Sequence, residues 1–132
     1  QETAVNSLLM VKRVTWLLVV VGLCVSCQKF AEGRQMFREL LVLRDQIMTE
    51  FHERVVDVNI ANGNRMTVKF INSPFGSRSH EEKQQRADAV AAFVAKHYKR
   101  PLSSVSVQFV SQPGSVVGVG ETYVGQATGS LQ

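Results

Sequence analysis

A two-layer α+β sandwich, ordered α-β-β-α-β-β with four antiparallel strands and both helices on one face, is the fold class that the sequence predicts. Three observations predict it. Apolar residues recur at helical spacing in two stretches, 36–51 and 79–99. They alternate with polar residues in two others, 56–70 and 104–109. The same order of helix, break, strand, glycine turn and strand then occurs twice, about 50 residues apart, as an αββ duplication. Each half offers one apolar sheet face, so the halves need each other's helix to close a core.

The first helix carries apolar residues at 36, 40, 43, 47 and 51, with Phe37, Leu41 and Met48 beside them. Arg38, Glu39, Arg44, Asp45 and Glu50 fill the other side. The period then becomes two: Val56, Val58 and Ile60, the turn Asn62-Gly63-Asn64, then Met66, Val68 and Phe70. Asn and Gly tolerate positive φ, so this reads as a hairpin. Pro74 and Gly76 end it. Ser79 with Glu82 three residues later forms a capping box that opens the second helix. Lys99-Arg100 before Pro101 closes it. Its stripe of Ala87, Val90, Ala91, Val94 and Tyr98 has small residues that let a neighbour pack close. Val105, Val107 and Phe109 form a third strand, Gln112-Pro113-Gly114 a turn, and a last strand is expected from about Val116 to Val124. The expected single domain is 36–125, with 126–132 a frayed tail.

The most specific chemistry lies upstream. Lys12-Arg13 precede an apolar run, Val14 to Val25. As a helix it is about 18 Å long, short for a bilayer core of about 30 Å and suited to an export signal. Met10 is read as the start of that signal, with residues 1–9 upstream. The run ends Leu23-Cys24-Val25-Ser26-Cys27, which resembles the lipobox of bacterial lipoproteins. Ser26 fits the small residue before the lipidated cysteine, while Cys24 stands where that family usually has Leu. The resemblance implies that Cys27 carries the lipid, palmitate included, and becomes the mature N-terminus. Residues 1–27 are then upstream residues plus signal, and 28–35 a polar tether. The expected location is the cell envelope, facing periplasm or exterior, with secretion or an uncleaved N-terminal anchor as alternatives.

Both cysteines of the 132-residue chain lie in this segment. Cysteine chemistry in the body, whether disulfide, thiol catalysis or a Cys-based zinc site, is therefore not expected. Of the 15 Lys and Arg and 11 Asp and Glu, only Lys12, Arg13 and Glu2 precede residue 27. The body keeps a small positive excess with interspersed signs and no basic stripe, so nucleic acid is not an expected partner.

His52, His80 and His97 have no i, i+4 partner, and no metal or cofactor is expected. His52 and His97 fall at helix C-termini, where a cation is favoured. Glu81 and Glu82 diverge by about 100° on their helix and do not converge on a substrate. Gly118-Val119-Gly120 shares the start of a dinucleotide fingerprint but opens no helix. Ser73 lacks a nucleophile-elbow pattern, and turn chemistry accounts for it. The element order is also similar to BON-type envelope domains, an architectural analogy only.

The expected function is a non-enzymatic binding or assembly module. Its partner contacts are the exposed loop, Asn72, Ser73 and Phe75, and the polar sheet face, Asn59, Lys69 and Gln108. Phe75 has a second reading, as a plug for one end of the core. The partners expected are the membrane through Cys27, and an envelope protein or polar ligand. The alternatives are a small envelope hydrolase near residues 72–82, using His80, Glu81 or Ser73, and a homodimer joined through the last strand.

Overall fold

The computed structural model describes residues 2–112, 120 and 122–131. The chain divides into two units, Gln1–Arg38 and Glu39–Gln132. Helix α1, Glu2–Phe51, begins in the first and ends in the second. Residues 28–35, expected as a tether, are helical. Asn6 to Cys24 are exposed throughout, and by length and composition this part of α1 suffices to cross a membrane.

In the second unit, β1 (Val56–Ala61), β2 (Arg65–Ile71), β3 (Ser104–Ser111) and β4 (Thr122–Gly129) form one sheet in the order β1-β2-β3-β4. A 3-10 turn (Pro74–Ser77) and helix α2 (His80–His97) separate β2 from β3. The class is α+β, as the alternating periods predict. The all-antiparallel sheet is not formed: β1–β2 and β3–β4 are antiparallel, but β2–β3 is parallel. The cause is the return helix. An 18-residue α2 is about 27 Å long, and the seven residues of β2 span about 23 Å. The helix therefore brings the chain back to the end at which β2 began, and β3 starts beside it in the same direction.

The register builds three apolar rows across the inner face. They are Val56–Phe70–Phe109–Gly125, Val58–Val68–Val107–Ala127 and Ile60–Met66–Val105–Gly129. Leu43, Ile47 and Phe51 of α1, with Ala87, Val90, Ala91 and Val94 of α2, close a single core with these rows. β4 contributes only small residues because α2 lies almost against its backbone. A Cβ built on Gly129 would stand 2.3 Å from the Ala87 carbonyl oxygen and 2.5 Å from the Ala91 methyl.

The last strand therefore corrects the expected boundaries. β4 runs to Gly129, and residues 125–129 are paired with β3 instead of frayed. The expected strand from Val116 lies mostly outside the described residues, as do Gly118 and Val119 of the fingerprint-like run. Side chains of α2 fasten β4 further. Lys83 Nζ donates to the Val124 carbonyl (3.1 Å), and Gln84 Nε2 to that of Thr128 (2.7 Å). The Ser130 amide donates to Asp88 Oδ1 (3.0 Å).

Turn chemistry follows the residues. Asn62 and Gly63 both take positive φ, 54° and 74°, at the β1–β2 turn. The capping box forms: Ser79 Oγ accepts from the Glu82 amide, and Glu82 Oε2 accepts from the Ser79 amide. These bonds, with Arg78 nearby, hold the Glu82 carboxyl below its ordinary pKa. A depressed folded-state pKa contributes stability that is complete above the unfolded value and lost as pH falls through the folded one. Glu82→Gln is therefore expected to flatten the acid limb of a stability–pH curve below the ordinary Glu value. Ser79→Ala should cost about 1 kcal/mol at neutral pH. Denaturant titrations across the acid range check both.

Candidate functional site

Two polar rows cross the sheet on the side away from the core. They are Asp57–Lys69–Gln108–Gln126 and Asn59–Thr67–Ser106–Thr128. Alternation along each strand puts them there, since Val56, Val58, Met66, Val68, Val105 and Val107 take the inner face. Of the expected contact residues, Lys69 and Gln108 are direct register partners, and Asn59 stands in the neighbouring row. Asn59 is exposed, and its Oδ1 accepts from the Ile60 amide (2.9 Å). Neighbouring strands lie about 4.8 Å apart. The four strands thus form a shallow grid of hydroxyls, amides and one Asp/Lys step; the Ser106 hydroxyl within it is buried, and the groups around it are suited to hydrogen bonds with a polar surface.

The loop residues go elsewhere. Asn72 takes φ 53° and clasps the end of β3. Its Nδ2 donates to the Gln112 carbonyl (3.0 Å), its Oδ1 accepts from the Gln112 amide (2.8 Å), and its own amide donates to the Val110 carbonyl (2.8 Å). Ser73 Oγ donates to Glu53 Oε1 (2.6 Å) and accepts from the Phe75 amide (3.2 Å). Phe75 is half-buried and packs against the core, in line with its reading as a plug. The loop is thus a fastened structural corner, and its Asn, Ser and Phe do not join the polar grid.

What fastens it is a buried cluster that the sequence does not signal. α1 ends with His52 in the left-handed region (φ 54°), and the Glu53 amide donates back to the Met48 carbonyl (3.1 Å). This Schellman geometry turns Glu53 inward, where its side chain is 3% exposed. Arg86 of α2 lies 3.8 Å from Glu53 Oε1 and donates to the Phe51 carbonyl at the end of α1 (2.8 Å). Its guanidinium covers the rings of Phe75 (4.2 Å) and Phe51 (4.8 Å). Burial pushes the Arg86 pKa down from its ordinary value, and Glu53 opposes that shift. The terminal carbonyl of α1 is therefore capped by Arg86, not by the expected cation at His52. Only the pairing of α1 with α2 brings Arg86 there.

His97 lies in the last turn of α2. Its Nδ1 lies 2.9 Å from the Phe93 carbonyl, and its ring stacks on Phe93 at 4.0 Å. His80 is the exposed first residue of α2. Among the described residues, no three His, Cys, Asp or Glu side chains are grouped to hold a metal. Cys27 is exposed on α1. β4 lies at the sheet edge, the strand through which a second copy was expected to pair.

No known protein family matches the chain, and neither does a curated protein or a solved structure.

Proposed function

We propose that the chain is exported, held at a membrane by lipid on Cys27, and acts there as a non-enzymatic binding module. The observation that carries the binding role is the two-row polar grid spanning all four strands, opposite the face on which both helices build the core. Apart from Lys69 its residues are short or amide-bearing, and most carry both a donor and an acceptor, which suits a polar partner such as an envelope protein or a glycan. The Ser73 hydroxyl is engaged with Glu53 and the Phe75 amide, a use that favours a fold-holding role over nucleophilic attack. The envelope location draws on the exposed apolar part of α1 and on the Ser26-Cys27 junction. A second reading, an uncleaved membrane anchor, is favoured by α1 running unbroken from Glu2 to Phe51.

Two measurements test this. Mass spectrometry of the mature N-terminus is expected to find acylated Cys27 as the first residue; an intact upstream helix would select the uncleaved anchor. A photo-crosslinking residue is then placed at Gln108 or Gln126 on the grid, or at the exposed Gln85 of α2. The two grid positions are expected to yield one shared adduct in membranes, absent from position 85. Equal adducts at all three positions, or none on the grid, would defeat the binding role.

A further inference from the structure

Immediately after Cys27, α1 carries a two-sided segment. At about 100° per residue, Cys27, Phe30, Ala31, Arg34, Phe37 and Arg38 fall on one face, and Glu32, the only acid of 28–38, falls opposite. Cys27, Phe30, Ala31, Arg34 and Arg38 border one hollow on the helix surface. Phe30 and Phe37 are 64% and 63% exposed, unusual for rings in a segment otherwise so polar. The Arg34 guanidinium lies 4.4 Å from the centroid of the Phe30 ring. Exposed rings alternating with arginines are the composition of a helix that lies in a bilayer interface, rings among the acyl chains and cations at the phosphates.

We infer that this face, from Cys27 to Arg38, lies along the membrane surface and binds anionic phospholipid headgroups. The inference rests on the proposed attachment through Cys27 and deepens it. The Phe–Arg face lies on the side of the helix from which the lipid would emerge. Charge complementarity selects the occupant, because two arginines share the face and the acid is turned away. The helix rises about 15 Å between Cys27 and Phe37. A helix standing upright on its anchor would therefore carry Phe37 clear of the acyl chains, whereas a helix lying down keeps both rings in them.

The test uses the protein purified from membranes: cleavage before Cys27 removes Trp16, the only Trp of the sequence, and a Trp16→Phe background removes it in any uncleaved form. Phe30→Trp or Phe37→Trp serves as the reporter. Each variant is reconstituted in phosphatidylcholine–phosphatidylglycerol vesicles in which one lipid or the other has brominated acyl chains. Both reporters are expected to be quenched, more strongly by brominated phosphatidylglycerol. Arg34→Gln and Arg38→Gln should each weaken that preference about fivefold, since a surface cation is worth about 1 kcal/mol. Quenching at position 30 with none at position 37 would overturn the lying-down arrangement. Equal quenching by the two lipids would overturn the anionic preference. No quenching of either reporter by either lipid would overturn membrane attachment itself.

Discussion

Replacing Gly129 by alanine is expected to destabilise the domain by about 3 kcal/mol, nearly as much as replacing it by valine. The clash begins at Cβ, which would sit 2.3 Å from the Ala87 carbonyl oxygen and 2.5 Å from the Ala91 methyl. Neither neighbour is the movable end of a side chain. Relief requires α2 to lift from β4, which would strain the Gln84 bond to the Thr128 carbonyl and the Ser130 bond to Asp88. For a domain of this size, about 3 kcal/mol lowers the melting temperature by roughly 12–20 °C. Gly33→Ala is the control: nothing lies within 4 Å of its Cβ position, and the residue is helical. Alanine there should be neutral or stabilising by up to about 1 kcal/mol. Thermal denaturation followed by circular dichroism checks the pair. A Gly129→Ala melting curve matching the parent would show that α2 does not rest on β4 in this way.

Removing the Arg86 guanidinium is the second large effect. Arg86→Met keeps the helix propensity and much of the length of the side chain. It nevertheless leaves Glu53 buried without its cation and the Phe51 carbonyl without its donor. Losing one member of a buried pair costs about 3 kcal/mol or more. The cost should fall mainly on the remaining charge. Adding Glu53→Gln to Arg86→Met should therefore recover part of the loss, because a neutral amide is easier to bury and can still accept from Ser73 Oγ. A double-mutant cycle by urea denaturation measures the coupling, expected at about 1–2 kcal/mol. Additive losses would mean that Glu53 and Arg86 do not act as a pair. Because both hold the corner at Ser73 and Phe75, the single Arg86→Met variant should also raise amide exchange in residues 72–78.

The two effects differ in how far the sequence foreshadows them. Ala87 and Ala91 announce a close approach, since small residues on an apolar helix face invite a neighbouring backbone. Their partner is not announced. Gly129 lies in a stretch rich in Gly, Thr and Ser, whose weak apolar pattern reads as a tail. That pattern is weak because α2 already fills the space that larger side chains would occupy. Glu53 and Arg86 are foreshadowed less. Each is an ordinary charged residue in its own segment, and their 33-residue separation is bridged only when α1 and α2 pack.

The parallel β2–β3 pair has the same character. Alternation shows which residues face the core, and the six inward residues of β2 and β3 are all buried as their period requires. Alternation is blind to strand direction, however, because a period of two is identical in parallel and antiparallel pairing. Direction is decided by the length of α2 and by where it delivers the chain.

By itself, then, the sequence determined the local features: the class, the helix cap at Ser79, the turn at Asn62-Gly63, the inner and outer faces of β1 to β3, and the apolar N-terminal helix. Each depends on side chains within a few residues of one another. Only the tertiary structure decided the strand order, the place of β4, the polar grid across four strands and the buried Glu53–Arg86 hub. Those depend on segments 30 to 70 residues apart, and their geometry is set by how closely two helices can lie on one sheet.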